Sequence, residues 1–456
     1  MPPILMHPTT RLDPFQRPTG SIDDPCGIGW RLLLLFVWLF PASGLAMGFE
    51  NLQINGFGTL GWIHDDNATS AFVRDLNQRP KDSLPEDRSW FPNDSWLRDS
   101  RLGLQANLRL SSDLSVMTQM VLRNQITHNP GYHLDWALLA WTPMPDLDLR
   151  FGRVGYDLFL VSEQRNMGYG YPWIRPPVEF YGWIPLYSLD GFDGSYAWRS
   201  NAATWRFKVQ GGRSIGIGVP MDEDLYRMTL DQAITATLTY EEGRWLFKAG
   251  HSHLRVASEA KPLTPLFNAL DGLAGMGLPS VEAQAADLRR NMTFDASRIR
   301  LSTVGLVYDD KDWLVQAELG TVSSSIEMNV NHDIAYAGVA KRWGDWTPYT
   351  LISAIRPHHR AQSISSNWGD GLPANLEAAL NGLQQASILA INSSRIHQET
   401  MSLGVRYDLN PWAALKWQWD GTHVHPNGYL LRPGTLLDGS QPLTVQAFSV
   451  SLDFVF

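Results

Sequence analysis

Hydrophobic and polar residues alternate along much of this chain with a period of two. The clearest stretch is LTVQAFSVSLDFVF, residues 443–456. Phe448, Val450, Leu452, Phe454 and Phe456 fall on every second position, with Ser449, Ser451 and Asp453 between them. A strand sends successive side chains to opposite faces, so this pattern predicts one apolar and one small or polar face. The same rhythm recurs at Arg101–Leu110, where Leu102, Leu104, Ala106 and Leu108 oppose Arg101, Gly103, Gln105, Asn107 and Arg109. It returns at Trp205–Gln210 and at Leu415–Asp420.

The pattern predicts sixteen strands, over 52–62, 97–110, 114–125, 132–142, 147–154, 189–198, 203–212, 232–241, 244–254, 298–309, 312–322, 333–343, 346–356, 398–409, 412–423 and 443–456. The twelfth and thirteenth alternate least well. Short connections centre on Ser112-Asp113, Pro143-Met144-Pro145, Ser200-Asn201, Glu242-Gly243, Asp310-Lys311, Gly344-Asp345 and Asn410-Pro411. These are turn-forming residues. Between them come long loops, so short and long connections alternate. An open strand edge showing a row of Phe, Leu and Val invites aggregation. A closed barrel in lipid removes the edge and gives the apolar face its solvent. The expected fold is therefore all-β: a transmembrane antiparallel β-barrel of about sixteen strands, with short periplasmic turns and long extracellular loops. Trp198, Trp205, Trp245, Trp313, Trp343, Trp346 and Trp412 lie near the short turns, where an interfacial aromatic girdle belongs.

Composition agrees with one large barrel. Of 456 residues, 44% are hydrophobic and 19 are Trp, and the net charge is −9. The run LLLLFVWLF, residues 32–40, follows Arg31 and precedes PASGLA. It is shorter than the ~20 residues a membrane-crossing helix needs. Its flanks suit a cleaved export signal, with the cut after Ala46. The expected organisation is a signal region at 1–46, with a long segment ahead of its apolar run, and a barrel at 47–456. The only Cys, Cys26, would leave with the signal, and with it any thiol chemistry.

The ending FVF, the opening strand INGFGTLGW (54–62), the sixteen-strand rhythm and a long segment after the fifth strand together resemble Gram-negative outer-membrane porins over nearly all of 47–456. The segment GRVGYDLFL followed by YGYPWIRPPVEFYG is similar to porin-like proteins. The resemblance implies location in the bacterial outer membrane after export through the periplasm. It implies Phe454 and Phe456 as part of the signal read by the barrel assembly machinery, and a homotrimer. It also implies that the loop after the fifth strand, about 155–188, folds inward as a constriction. That loop's charged groups, Glu163, Arg165, Arg175 and Glu179, are then the candidate constriction residues, because fixed charges at a narrow point select ions by sign and size.

Inward-facing bases on this register are Arg101, Arg109, Arg123, Arg150, Arg206, Lys208, Lys248, Arg298, Arg300, Arg406 and Lys416. Inward acids are Asp135, Asp148, Asp193, Glu318, Asp408, Asp420 and Asp453. A wall leaning basic favours anionic solutes, while balanced charges give an unselective pore. A one-residue slip exchanges the faces of any strand.

Histidine pairs at His251/His253 and His423/His425 have a spacing that suits a metal, yet both extend outward rows beyond the membrane edge, where lipopolysaccharide or solvent contact is the simpler account. No metal site, cofactor or nucleic-acid stripe is expected. Ser252 lies between His251 and His253, but neighbouring residues on a strand face opposite ways, and no G-x-S-x-G elbow occurs, so no enzyme is expected. The expected function is passive diffusion of small hydrophilic, including anionic, solutes, with outer-membrane lipid and lipopolysaccharide as surroundings. Two alternatives stay open: a substrate-specific channel, with eighteen strands if a long loop hides a hairpin, and a surface adhesin or scaffold with a plugged barrel.

Overall fold

The computed structural model describes residues 51–66, 74–76, 78, 94–125, 130–184, 186–200, 202–221, 224–257, 261–328, 331–428 and 441–456. The expected signal region, its cut after Ala46 and Cys26 lie outside the described residues.

Sixteen strands form the wall. They are β1 (Leu52–Asp65), β2 (Arg101–Arg109), β3 (Leu114–Arg123), β4 (Leu134–Met144), β5 (Leu147–Gly155), β6 (Ser188–Arg199), β7 (Ala203–Met221), β8 (Asp224–Glu242), β9 (Trp245–Val256), β10 (Arg298–Asp309), β11 (Trp313–Ser324), β12 (His332–Lys341), β13 (Trp346–Pro357), β14 (Gln398–Asn410), β15 (Ala413–Val424) and β16 (Leu443–Val455). A two-residue stub, Asp94–Ser95, adds to β1 at Ile63 and His64. Each wall strand pairs antiparallel with its neighbour in sequence, and β1 pairs with β16, so the sheet closes. Closure satisfies every strand edge, as lipid demands.

The seam shows how sequence produces closure. Gly58 faces Phe454, and Thr59 faces Asp453. A side chain on Gly56 or Gly58 would run into the ring of Phe456 or Phe454, at 2.2 and 2.3 Å. The alternating glycines of INGFG thus leave room for the alternating rings of the last strand to lie across the join. Elsewhere, Gly243 and Gly344 sit in the short turns with positive φ, where other residues would be strained.

One face of the wall is apolar and exposed: Leu60, Leu122, Phe151, Phe207, Leu238, Val304, Leu319, Ile352 and Phe448 stand on it. Leaving each of these in water would forfeit roughly 1.5–3 kcal/mol, so this face requires an apolar solvent. The seven tryptophans beside the short turns are exposed. Several pack on aromatic neighbours, as Trp205 does on Tyr240, Trp245 on Tyr308 and Trp346 on Tyr407, with ring centres 4.5, 4.6 and 4.5 Å apart.

Two differences from the expected pattern have physical causes. First, β7 and β8 run on to Met221 and from Asp224, well past the expected ends, because register shifts at Gly212/Ser214 and Ser214/Ile217 interrupt the alternation without ending the pairing. Second, Arg298 and Arg300 are exposed while Ile299 and Leu301 are buried, so the β10 bases face outward rather than into the lumen. The long loops after β9 and β13, whose stretches PLTPLFNALDGLAGMG and LPANLEAALNGLQQASILAI read as helical, hold helices α2 (Thr264–Asp271), α3 (Pro279–Asn291) and α4 (Ala374–Asn392), which pack on one another. No further wall hairpin lies among their described residues, and the count stays at sixteen.

Val304 is exposed on the mid-wall apolar face between inward Thr303 and Gly305. Val304→Arg is expected to destabilise the barrel by about 2–4 kcal/mol. Reversible denaturant unfolding in lipid vesicles measures this; a change below 0.5 kcal/mol would remove β10 from the lipid-facing register.

Candidate functional site

The loop from Tyr156 to Tyr187 connects β5 and β6, and its ends meet where the Tyr156 amide donates to the Tyr187 carbonyl at 3.0 Å. It lies inside the barrel. Its residues touch strands on opposite sides of the ring, from β7 and β9 to β15 and β16. It includes a short helix, α1 (Val178–Tyr181), whose entry is set by Pro177.

One flank is dry. Phe159, Phe180 and Tyr181 stack edge-on, and Phe180 meets Tyr336 of β12 at 5.1 Å. Trp173 meets Tyr349 of β13 at 6.3 Å. Inward residues Ile334, Tyr336, Leu351 and Ile355 are buried against the loop. This explains why the twelfth and thirteenth strands alternate poorly. Their inner face meets a packed loop instead of water, so both faces are largely apolar. The inner face of the wall is thus polar over only part of the ring.

The other contacts are polar and charged. At one end, the Asp157 carboxylate lies 2.6 Å from Lys208 and 2.5 Å from Lys248. Glu163 lies 3.1 Å from Arg150 and 3.3 Å from Lys208, and Asp193 stands 3.4 Å from Arg150. Burial disfavours the Asp157 anion, but Lys248 and Lys208 outweigh it and hold its pKa at about 2. Beside it, Glu318 of β11 accepts from the Leu160 amide at 2.9 Å, from Tyr336 at 2.7 Å, and from the Tyr181 hydroxyl.

At the far end, Arg175 donates a fork to Asp99, at 3.0 and 2.6 Å, and reaches Asp420 at 2.7 Å and Ser449 at 2.5 Å. Lys416 is completely buried and donates to the carbonyls of Gly168, Tyr171 and Trp173 at 2.7, 2.8 and 2.9 Å, with Asp453 3.0 Å away. Arg101 donates to the Asn166 carbonyl at 2.5 Å, and Arg406 to that of Tyr169 at 2.7 Å. A side chain at Gly168 would meet Asp453 at 2.1 Å, so the close approach needs glycine there.

The four loop charges singled out in the sequence thus have distinct placements. Arg165 is buried and ties the loop to itself, donating to the carbonyls of Tyr181, Ile184 and Leu186, with its guanidinium 4.1 Å above the Tyr187 ring. Arg175 and Glu179 are buried anchors to the wall; Glu179 accepts from Ser353, Gln398 and Thr400 at 2.5, 2.7 and 2.5 Å. Glu163 alone keeps substantial exposure, at 31%. Among the lumen residues, Arg101, Arg150, Asp193 and Lys208 join these networks, and Arg123 forks onto Asp135 at 2.9 Å. Arg109, Arg206 and Glu241 are exposed and make no ion pair among the described residues. Together with Gln53, Asn55 and Asp148 they line the space on the short-turn side of the loop. Phe454 and Phe456 stack at the seam, 6.2 Å apart.

Sequence reading did not single out Asp157 or Asp99 as anchors. Asp99 shares the inward parity of Arg101, which was the available signal; Asp157 lies beyond the last patterned residue of β5 and carried none.

The closed sixteen-stranded ring with a long loop folded into its lumen is the fold of Gram-negative outer-membrane porins. Among solved structures, the chain is similar to Salmonella typhi OmpF in complex with daunomycin, with a TM-score of 0.50 and 10% identity over 89% of this chain and 97% of that one. It is also similar to the anion-selective porin from Comamonas acidovorans, with a TM-score of 0.47 and 10% identity over 89% and 99%. A loop-deleted OmpT of Vibrio cholerae gives a TM-score of 0.47 and 11% identity over 89% and 100%. No protein-family model and no curated protein matches the sequence.

Two predictions concern the anchors. Arg175→Met leaves Asp99 and Asp420 buried and uncompensated, which is expected to cost about 3–5 kcal/mol and to make the loop cleavable by protease in the intact barrel. Wild-type resistance in that variant would show the anchor to be dispensable. Acid should act at Asp157. Its pKa is depressed on folding, so its contribution is full above the ordinary carboxylate value near 3.8 and is lost as pH falls toward 2. Loop proteolysis by pepsin is expected to rise over that window and to lose this rise in Asp157→Asn.

Proposed function

We propose that this protein is an outer-membrane diffusion channel for small hydrophilic solutes, narrowed by the loop at 156–187. The carrying observation is the loop itself: a long segment held inside the barrel by charge pairs from both sides, above a polar, exposed vestibule on the short-turn side. The reading needs no chemical step and no cofactor. It includes export through the periplasm with loss of residues 1–46, insertion by the barrel assembly machinery with Phe454 and Phe456 in the recognised strand, surroundings of lipid and lipopolysaccharide, and assembly as a homotrimer through the apolar wall.

The solute preference follows from which charges remain free. Most inward bases face an acid: Lys208 and Lys248 face Asp157, Arg150 faces Glu163 and Asp193, Lys416 faces Asp453, and Arg406 faces Asp408. The exposed bases Arg109 and Arg206 are set against Glu241 and Asp148. This balance supports weak ion selectivity over strong anion preference. In this reading the constriction is formed by the loop's exposed edge, Glu163 and Gln164, with Arg165, Arg175 and Glu179 holding that edge in place.

A second reading, a barrel closed by its loop that serves as a surface scaffold, has one observation in its favour: the described residues from Tyr171 to Leu186 are all buried. Planar-bilayer recording separates the two. The channel reading expects small, steady single-channel currents with a reversal potential near zero in a salt gradient. Replacing residues 158–185 with a short Gly/Ser linker is expected to raise conductance several-fold. A silent wild type with a conducting loop-replaced variant would establish the closed barrel.

A further inference from the structure

Charged side chains at the outward ends of membrane strands need a partner in protein, water or lipid headgroup. Around the rim remote from the short turns, the protein supplies most of them. Arg153 pairs with Asp190 at 2.7 Å, His358 with Asp333 at 2.9 Å, Arg356 with Glu399 at 3.6 Å, and Arg255 with Asp231. Three exposed arginines in one sector have no acid partner among the described residues: Arg213 on β7, and Arg298 and Arg300 on β10. Cross-strand register links them in a band. Gln232 faces Arg255, Arg255 faces Arg298, and His253 faces Arg300.

The wall beside Arg213 carries a depression of about 440 Å³. Phe192, Val209, Gly211 and Ile234 form its apolar part, while Arg213, Asp190 and Asp231 stand at its lip. The two acids there are already neutralised by Arg153 and Arg255. The Phe192 ring lies over Gly211, where a side chain would meet it at 2.6 Å, and the register shift after Gly212 opens the space beside it. The sector therefore joins an apolar slot, open on the lipid-facing side, to Arg213 at its edge and to the Arg298–Arg300 row three strands along the same rim.

We infer that the outward face of β6 to β10 is a docking site for an anionic phosphorylated lipid of the surrounding membrane. One acyl chain lies in the depression, and the phosphate is met by Arg213 and the Arg298–Arg300 row. Arginine's planar fork suits phosphate oxygens, and basic groups at a membrane surface attract anionic headgroups. The inference rests on the reading of the wall as membrane-embedded, and it is independent of whether the lumen conducts.

The test is native mass spectrometry of the full protein released from detergent in the presence of phosphatidylglycerol or phosphatidylcholine. Wild type is expected to retain phosphatidylglycerol in preference to phosphatidylcholine. The triple variant R213Q/R298Q/R300Q is expected to lose retention by about tenfold or more. R356Q, whose arginine already pairs with Glu399, is expected to behave as wild type. Val209→Trp fills the depression and is expected to lower retention with the arginines intact. Equal retention of the two lipids by wild type, or full retention by a triple variant that still migrates as a folded barrel, overturns the site; full retention by Val209→Trp overturns the acyl-chain slot. Bilayer currents of the triple variant should match those of wild type, so loss of the lipid site is distinguishable from failure of the channel reading.

Discussion

A loop that folds into a barrel takes its peptide groups and charges away from bulk water, and the wall has to replace that water. This constraint organises the interior. Lys416 is the clearest case: an ammonium with no exposure, spending its donors on three loop carbonyls while Asp453 balances its charge. Arg175 reverses the roles, with the loop supplying the cation and Asp99, Asp420 and Ser449 the oxygens. A buried charge left alone costs far more than a satisfied pair gains. The pairs therefore act less as a reservoir of stability than as a set of conditions that one loop path meets.

Those conditions also fix direction. The early part of the loop is acidic at Asp157 and Glu163, and it meets Lys208, Lys248 and Arg150 on β7, β9 and β5. The later part offers Arg175 and a run of carbonyls, and it meets Asp99, Asp420 and Lys416 across the ring. A loop laid the other way would set acid against acid at Asp99 and Asp420, and base against base at Lys208, Lys248 and Arg150. Between the two ends, Phe180 and Trp173 press on the apolar inner faces of β12 and β13. Polar pairing fixes position, and aromatic packing removes the remaining volume.

The wall was legible in the sequence because its two faces have different solvents. Leu102 through Leu108 and Phe448 through Phe456 keep strict parity, since lipid on one side penalises every polar residue. Legibility failed where that contrast is lost. β12 and β13 carry apolar residues on both faces because the loop, not water, lies inside them. The extensions of β7 and β8 lie beyond register shifts that interrupt the regular pairing. On the expected register Arg298 and Arg300 of β10 face inward, yet Ile299 and Leu301 occupy that face. Within the loop, charge identified Glu163, Arg165, Arg175 and Glu179 as important, but a loop has no period from which to read direction. Whether a charge meets open water or a partner from a strand two hundred residues away is a tertiary fact.

A net count of wall charges does not translate directly into selectivity. An inward base contributes to the field in a pore only in so far as no acid stands within a few ångströms, since a close pair acts at a distance as a dipole. Lys208, Lys248, Arg150 and Lys416 all fail that condition, and the acids that cancel them come partly from the loop, which no inventory of the strands includes. The basic lean of the wall is thus the counterpart of the loop's own charge, set in the sequence as two halves of one interaction. Among the described residues, the exposed inward charges outside such pairs are Arg109 and Arg206 against Glu241 and Asp148, and neither sign prevails among them.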